Sequence, residues 1–184
     1  MHRAYRVALL GDSAVGKTCL FNRYLKGPVG FSQDTLPTTK VDCGTKKVYQ
    51  DHGRVVTFSI WDTSGHESFR DFVKGYCRYT DAAIIVYDIT QQDSLRNARE
   101  WFDILRRDSR PNIFKALAGN KADLVNERQL TFEVICVCSH KFMSGIKSAV
   151  TLSNPIQLRK FVILICTYIA SHRADFFYSN KFVC

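Results

Sequence analysis

A glycine-rich segment at residues 11–18, reading G-D-S-A-V-G-K-T, constrains the fold of this chain more than any other feature. It follows an apolar run at residues 5–10, which predicts a buried strand. It precedes residues 17–26, whose apolar side chains share one helical face. A strand, a loop of the form G-x-x-x-x-G-K-[ST] and a helix, in this order, predict a phosphate-binding loop.

The residue types in this loop suit an anion. Gly11 and Gly16 let the backbone turn where a Cβ atom would clash, so that loop N–H groups and the helix N-terminus face a phosphate. Lys17 is expected to reach the β- and γ-phosphates, and Thr18 to offer its hydroxyl to Mg²⁺. The predicted phosphate-binding residues are consecutive: Gly11, Asp12, Ser13, Ala14, Val15, Gly16, Lys17, Thr18 and Cys19.

A second motif, N-K-A-D at residues 120–123, lies about a hundred residues downstream of the phosphate loop and follows a strand-like run. A phosphate loop alone is shared by many ATPases and kinases. The two motifs together indicate a protein that binds a guanine nucleotide, GTP or GDP.

Strands and helices alternate between the two motifs. Residues 41–50 and 53–62 predict two strands joined by a turn at 51–53, and residues 82–86 and 113–118 predict two more. This alternation predicts an α/β fold with a doubly wound, mostly parallel sheet.

Residues 93–107 predict an amphipathic helix, with Thr90 or Asp93 as its N-cap. Asp62 ends a predicted strand, at the edge where open α/β sheets bind ligands. Asp62 is therefore expected to help hold Mg²⁺, through water.

Composition sets broader limits. A chain of 184 residues is expected to form one domain, and its start shows no secretory signal. Its seven cysteines include no C-x-x-C pair, which favours reduced thiols in the cytoplasm. The net charge is +9, and residues 134–184 contribute six Lys or Arg against one Asp. Such a tail could suit an anionic membrane or nucleic acid, but the charges are scattered, which favours a solvated surface.

Several motifs resemble the Ras superfamily of small GTPases, and its Rab branch in particular. W-D-T-S-G-H-E at residues 61–67 is similar to the family's W-D-T-A-G-Q-E, and I-V-Y-D-I-T at 85–90 is similar to a Rab motif. P-N-I at 111–113 and A-G-N-K-A-D-L at 118–124 resemble the early-endosomal group. The resemblance covers roughly residues 3–133.

The resemblance implies roles for residues near the phosphates. Thr38 matches the threonine that closes on Mg²⁺ and the γ-phosphate, and Gly65 matches the glycine that bonds the γ-phosphate through its N–H group. His66 stands where the family has the Gln that orients the attacking water, which predicts slow hydrolysis. The implied metal ligands are Thr18, Thr38 and Asp62, and the implied catalytic residues are Thr38, Gly65 and His66.

The resemblance also implies roles around the guanine base. Phe31 is expected to pack on the ring, with a core or surface Phe as the alternative. Asn120 is expected to read the acceptor edge of the base, and Asp123 to accept two N–H bonds from its Watson–Crick edge. Lys121 is expected to pack its stem along the phosphate loop.

Two further departures concern partners and the C-terminal segment. Lys40 and Cys43 replace a Gly and an aromatic residue in the stretch that faces effectors in the family. After residue 133 the resemblance fades, and Val150 follows Ser148-Ala149 where the family has S-A-K. We therefore divide the chain into a GTPase core at 1–133 and an atypical segment at 134–184, and predict that the fold is incomplete or irregular in the latter.

The leading hypothesis is a molecular switch that binds Mg²⁺ with GTP or GDP, hydrolyses GTP slowly and acts in vesicle trafficking. Effectors, an exchange factor and a GTPase-activating protein are the partners that the family implies; nucleic acid is not expected. The chain is expected in the cytoplasm or at endosomal membranes; the single terminal Cys184 does not support prenylation, so membrane association stays open. The alternatives are a nucleotide-binding scaffold with little turnover, and a chain that folds poorly because its last strand and helix are missing.

Overall fold

The computed structural model describes residues 4–30, 37–38, 40–49, 55–66, 70–111, 113–131, 146 and 148–152. The strands are β1 (Ala4–Leu10), β2 (Asp42–Tyr49), β3 (Val55–Asp62), β4 (Ala82–Asp88), β5 (Phe114–Asn120) and β6 (Ser148–Thr151). The helices are α1 (Lys17–Lys26), α2 (Arg70–Cys77) and α3 (Gln92–Asp108). Two short 3-10 turns occupy Gly27–Gly30 and Val125–Glu127.

The strands form one six-stranded sheet in the order β2-β3-β1-β4-β5-β6. Strands β2 and β3 are antiparallel, and the other neighbouring pairs are parallel. Two apolar clusters cover the sheet, one with α1 and the other with α2 and α3. Strand β4 is buried along its whole length, as expected for a central parallel strand covered on both faces. The predicted α/β fold with a mostly parallel, doubly wound sheet is confirmed.

Most predicted elements are present with small changes at their ends. Helix α1 has the predicted bounds, whereas β4 and β5 each run two residues further than predicted, to Asp88 and Asn120. The extension matters because it places both polar side chains at the same edge of the sheet. The turn predicted at residues 51–53 lies outside the described residues.

The predicted N-cap of α3 is wrong. The helix begins at Gln92 after Gln91, which makes no side-chain capping bond. The hydroxyl of Thr90 donates instead to Asp88 Oδ1 at 2.7 Å, and Asp93 pairs with Arg96 at 2.9 Å inside the first turn. Both candidate side chains therefore serve other partners, a choice that a capping preference alone does not reveal.

Strand β6 lies in the segment that was predicted to be incomplete or irregular. It pairs in parallel with β5, from Ala116 opposite Ser148 to Gly119 opposite Thr151. The next residue, Leu152, is buried, and its N–H group donates to Gly119 O at 2.6 Å. The hypothesis that the last strand is missing is therefore contradicted at residues 148–151. Residues 132–145, 147 and 153–184 lie outside the described part of the chain.

None of the helices in the described ranges is long and apolar enough to cross a membrane.

Candidate functional site

The phosphate loop connects β1 to α1 at the carboxyl edge of the sheet. Its backbone has positive φ angles at Gly11, Ala14 and Gly16, of 135°, 62° and 94°. A left-handed conformation is uncommon for Ala, so the loop holds a shape that successive N–H groups use to face an anion. At Gly16 a Cβ atom would lie 2.2 Å from Asn120 Nδ2, so only glycine allows Asn120 to approach the loop.

Lys17 closes the loop from the inside. Its side chain is buried, and its ammonium donates to Gly11 O at 2.8 Å and to Asp12 O at 2.6 Å. Burial lowers the pKa of Lys17 from 10.5 to about 8, although the nearby carboxylates of Asp62 and Asp12 oppose that shift. The Lys17 side chain is therefore only about half protonated near pH 8, and bound phosphate would favour its charged form.

Three predicted metal ligands meet beside Lys17. Thr18 comes from the first turn of α1, Asp62 from the end of β3, and Thr38 from the segment before β2. Thr18 Oγ1 donates to Asp62 Oδ2 at 2.7 Å and lies 2.8 Å from Thr38 Oγ1. The sheet register thus brings together side chains that are up to 44 residues apart in sequence.

The Asp62 carboxylate is only 1% exposed, and its Oδ1 atom has no hydrogen-bond partner among the described residues. Burial raises the pKa of Asp62, while the Thr18 hydroxyl and the Lys17 charge act in the opposite direction. A buried carboxylate oxygen without a partner, beside two hydroxyl oxygens, is a set of hard ligands that suits Mg²⁺. The residues therefore fit the predicted metal, and their role as ligands stays a prediction.

Gly65 packs directly against the phosphate loop. A Cβ atom on Gly65 would lie 2.3 Å from the carbonyl carbon of Asp12 and 2.4 Å from Ser13 N. Such close packing is possible only for glycine, and it holds the Gly65 backbone against the phosphate loop. His66 is exposed, and its N–H group donates to Ser64 Oγ at 3.3 Å. The structure thus places Gly65 against the loop, with His66 next to it in sequence, and their catalytic roles stay predictions.

The guanine-reading motif begins at the end of β5. Asn120 Nδ2 donates to Val15 O at 2.9 Å, which ties this motif to the phosphate loop. Lys121 has a positive φ of 61°, and its ammonium lies 2.6 Å from the buried carboxylate of Asp88. The sequence prediction for Lys121 concerned its stem and missed this ion pair. Asp123 is exposed at the same edge of the sheet, where a base could reach it. Phe31 lies outside the described residues.

The side chain of Asp12 turns toward α3. Asn97 Nδ2 donates to Asp12 Oδ2 at 2.7 Å, and Trp101 Nε1 donates to Asp12 Oδ1 at 2.9 Å. Asp12 was predicted as part of the phosphate site, and these bonds leave its main chain as the part that lines the loop. The amphipathic pattern of residues 93–107 indicates an apolar side for this helix but does not connect Asn97 or Trp101 with Asp12. Their spacing of four residues on one helix face is the signal that could have paired them.

The fold and the site define an α/β protein of the phosphate-loop class. The defining features are a loop that holds a buried lysine, an acid at the end of the adjacent strand and a polar motif after β5. The family model for the Ras family matches residues 6–144. The Ras-related protein RIC1 of Oryza sativa subsp. japonica and the Ras-related protein RABD2a of Arabidopsis thaliana are each 36% identical over 129 residues. The alignment covers 70% of this chain and 62% of each relative.

The chain belongs to the Ras family. The predicted resemblance to the Ras superfamily and its Rab branch is therefore confirmed.

Proposed function

We propose that this chain is a guanine-nucleotide-dependent switch that binds GTP with Mg²⁺ and hydrolyses it to GDP. The observation that carries the proposal is the meeting of Thr18, Thr38 and Asp62 beside the phosphate loop that Lys17 closes. Thr38 precedes β2, whereas Thr18 lies in the first turn of α1. A ligand that engages both hydroxyls would therefore hold the segment around Thr38 against the site, and its loss would release that segment.

Different residues of the site would bind the phosphates, the metal and the base. The loop N–H groups and Lys17 bind the phosphates, and Thr18, Thr38 and Asp62 would hold the metal. When bound there, Mg²⁺ would neutralise charge on the β- and γ-phosphate oxygens. Gly65, whose backbone packs against Asp12, would donate its N–H group to a terminal phosphate. Asp123, exposed at the end of the sheet, selects guanine because a carboxylate accepts two N–H groups that adenine does not present.

Hydrolysis is expected to be slow. His66 stands in place of the glutamine that orients the attacking water in the family, and its side chain is exposed. This observation also favours a second candidate, a nucleotide-binding scaffold with little turnover. Single-turnover hydrolysis of bound GTP separates the two functions: a measurable rate that Gly65 or His66 variants change supports the switch, and no phosphate release supports the scaffold.

We also propose partners of the kind that the Ras family implies, namely effectors, an exchange factor and a GTPase-activating protein. Trp61 is the second-last residue of β3, and its ring packs edge to face against Tyr76 of α2, with the ring centres 5.1 Å apart. Cys43 of β2 is exposed beside them, with its Sγ 3.1 Å from Ser59 Oγ. This surface joins the strands and the helix that flank Thr38 and Gly65, so a partner that binds here could sense the nucleotide. A role in vesicle trafficking, and a location in the cytoplasm or at endosomal membranes, rest on the Rab resemblance.

Thermal denaturation of the full chain with GDP, GTP or ATP, each with Mg²⁺ or with EDTA, tests the proposal. A nucleotide that binds only the folded chain stabilises it, by about 2.7 kcal/mol at a hundred times its Kd. We expect GDP and GTP to raise the melting temperature and ATP not to. Thr18→Ala should remove most of the Mg²⁺ dependence of the stabilisation by nucleotide. Thr45→Ala should keep it, because Thr45 is an exposed residue of β2. Equal stabilisation by ATP and GTP would refute guanine selection.

A further inference from the structure

The carboxylate of Asp12 is a negative charge inside a loop that is shaped for anions. Asp12 belongs to the phosphate loop itself, and its main-chain carbonyl oxygen accepts a hydrogen bond from the Lys17 ammonium at 2.6 Å. A carboxylate facing bound phosphate would repel it, by an amount that grows where water is excluded. The position is therefore compatible with nucleotide only if the side chain is held elsewhere.

Helix α3 supplies two donors that hold the carboxylate. Asn97 and Trp101 each donate to a different oxygen of Asp12, at 2.7 and 2.9 Å. Trp101 is fully buried, so the position of its indole N–H group is set by the core. Hydrogen bonds to an ionised acceptor are stronger than neutral ones, so this pair of bonds fixes both the charge and the loop that carries it.

The same tryptophan contacts α2, the helix that follows Gly65 and His66. The guanidinium of Arg70, the first residue of α2, lies 5.4 Å from the centre of the Trp101 ring. Arg70 also pairs with Glu100 of α3 at 2.7 Å. Gly65 packs against the backbone of Asp12. Helix α3 and the Gly65 segment therefore contact the same residue of the phosphate loop.

We propose that Asn97 and Trp101 are positioning residues of the nucleotide site. They turn the Asp12 carboxylate away from the phosphates, and through Arg70 they couple the phosphate loop to α2. The inference rests on the proposed nucleotide binding, but the arrangement of side chains can be tested without nucleotide.

The first experiment measures release of a fluorescent GDP from the full chain in an excess of unlabelled GDP. Asn97→Ala removes one donor and leaves the charge, so we expect release about tenfold faster, the size of one charge-assisted hydrogen bond. Adding Asp12→Ala removes the charge as well, and we expect it to slow release again, toward the wild-type rate. Arg96→Ala is the control, since Arg96 lies next to Asn97 on the exposed side of α3 and pairs with Asp93.

The rescue separates positioning from simple packing. If Asn97 only stabilises the fold, the double variant should release GDP at least as fast as Asn97→Ala alone, and that result would overturn the inference. Trp101→Phe, which keeps an aromatic ring but loses the N–H group, should show the same rescue by Asp12→Ala. A wild-type chain that binds no GDP at all would refute the proposed function and the positioning role together.

The second experiment follows the indole N–H signal of Trp101 by NMR in the nucleotide-free chain. Trp61→Phe assigns the signal, because the chain has two tryptophans. Asp12→Ala should shift it by removing its acceptor, and Arg70→Gln should shift it by removing the cation over the ring. Arg96→Ala should leave it in place. If neither Asp12→Ala nor Arg70→Gln shifts the indole N–H signal, the contacts of Trp101 with Asp12 and Arg70 are refuted, whatever the chain binds.

Discussion

Nucleotide binding should take up a proton at Lys17. Burial lowers the pKa of this ammonium to about 8, and a group with that pKa is about half protonated at pH 8. Bound phosphate favours the charged form and raises the pKa of Lys17. The lysine contributes fully to affinity below the pKa of the free form, and this contribution falls as the pH rises through about 8.

The magnitude follows from the protonated fraction. With a pKa of about 8, that fraction is about nine tenths at pH 7, about half at pH 8 and about a quarter at pH 8.5. GDP should therefore bind about twofold more weakly at pH 8, and about fourfold more weakly at pH 8.5, than at pH 7. The terminal phosphate of GDP is already ionised above pH 7.5, so the nucleotide adds little of its own to this dependence.

Calorimetry of GDP binding at pH 8, in two buffers with different ionisation enthalpies, measures the proton directly. We expect about half a proton to be taken up per GDP bound. Lys17→Arg keeps a positive charge that does not titrate, so this variant should take up no proton when it binds GDP, even if it binds more weakly. Thr18→Ala should keep the uptake. If the wild type takes up no proton, or if Lys17→Arg takes up as much as the wild type, the reasoning from burial is refuted.

Three further predictions concern the base and the Gly65 segment. Gly65→Ala would place a Cβ atom 2.3 Å from Asp12 and 2.4 Å from Ser13, so we expect single-turnover GTP hydrolysis to fall with little change in GDP affinity; an unchanged rate would contradict the close packing. Asp123→Asn should weaken guanine binding by several kcal/mol relative to xanthine, in competition between GDP and xanthosine diphosphate, because it exchanges an acceptor for a donor. His66→Gln should raise the single-turnover rate, and a flat or lower rate would show that His66 does not limit hydrolysis.

Local sequence signals predicted the parts of the site that lie close together along the chain. The bounds of α1 follow from the glycine-rich loop before it and its apolar face, and both signals lie within about twenty residues. The same signals placed Asp62 and Asn120 at strand ends, so the edge of the sheet that carries the site could be predicted. Their position at the same edge needs only the rule that parallel strands align their carboxyl ends.

Contacts between distant side chains could not be predicted in this way. Asp12 and Trp101 are 89 residues apart, and their bond depends on how α3 rotates about its axis as it packs on the sheet. Trp101 is buried in the core, and a core position does not reveal that its N–H group donates to the Asp12 carboxylate. The ion pair of Lys121 with Asp88 depends likewise on the register of β4 with β5, which aligns Asp88 with Asn120.

Strand β6 shows why the C-terminal segment gave a misleading signal. A strand of four residues has too short a pattern to predict alone, and it forms here because β5 offers an unpaired edge. Its pairing reaches Gly119, and Leu152 N bonds Gly119 O, one residue before Asn120. The backbone that presents Asn120 is therefore held on one side by β4 and on the other by β6. Strand β6 thus supports the N-K-A-D motif at residues 120–123, although it lies in the segment that resembles the family least. It does so through backbone hydrogen bonds, which many sequences can make.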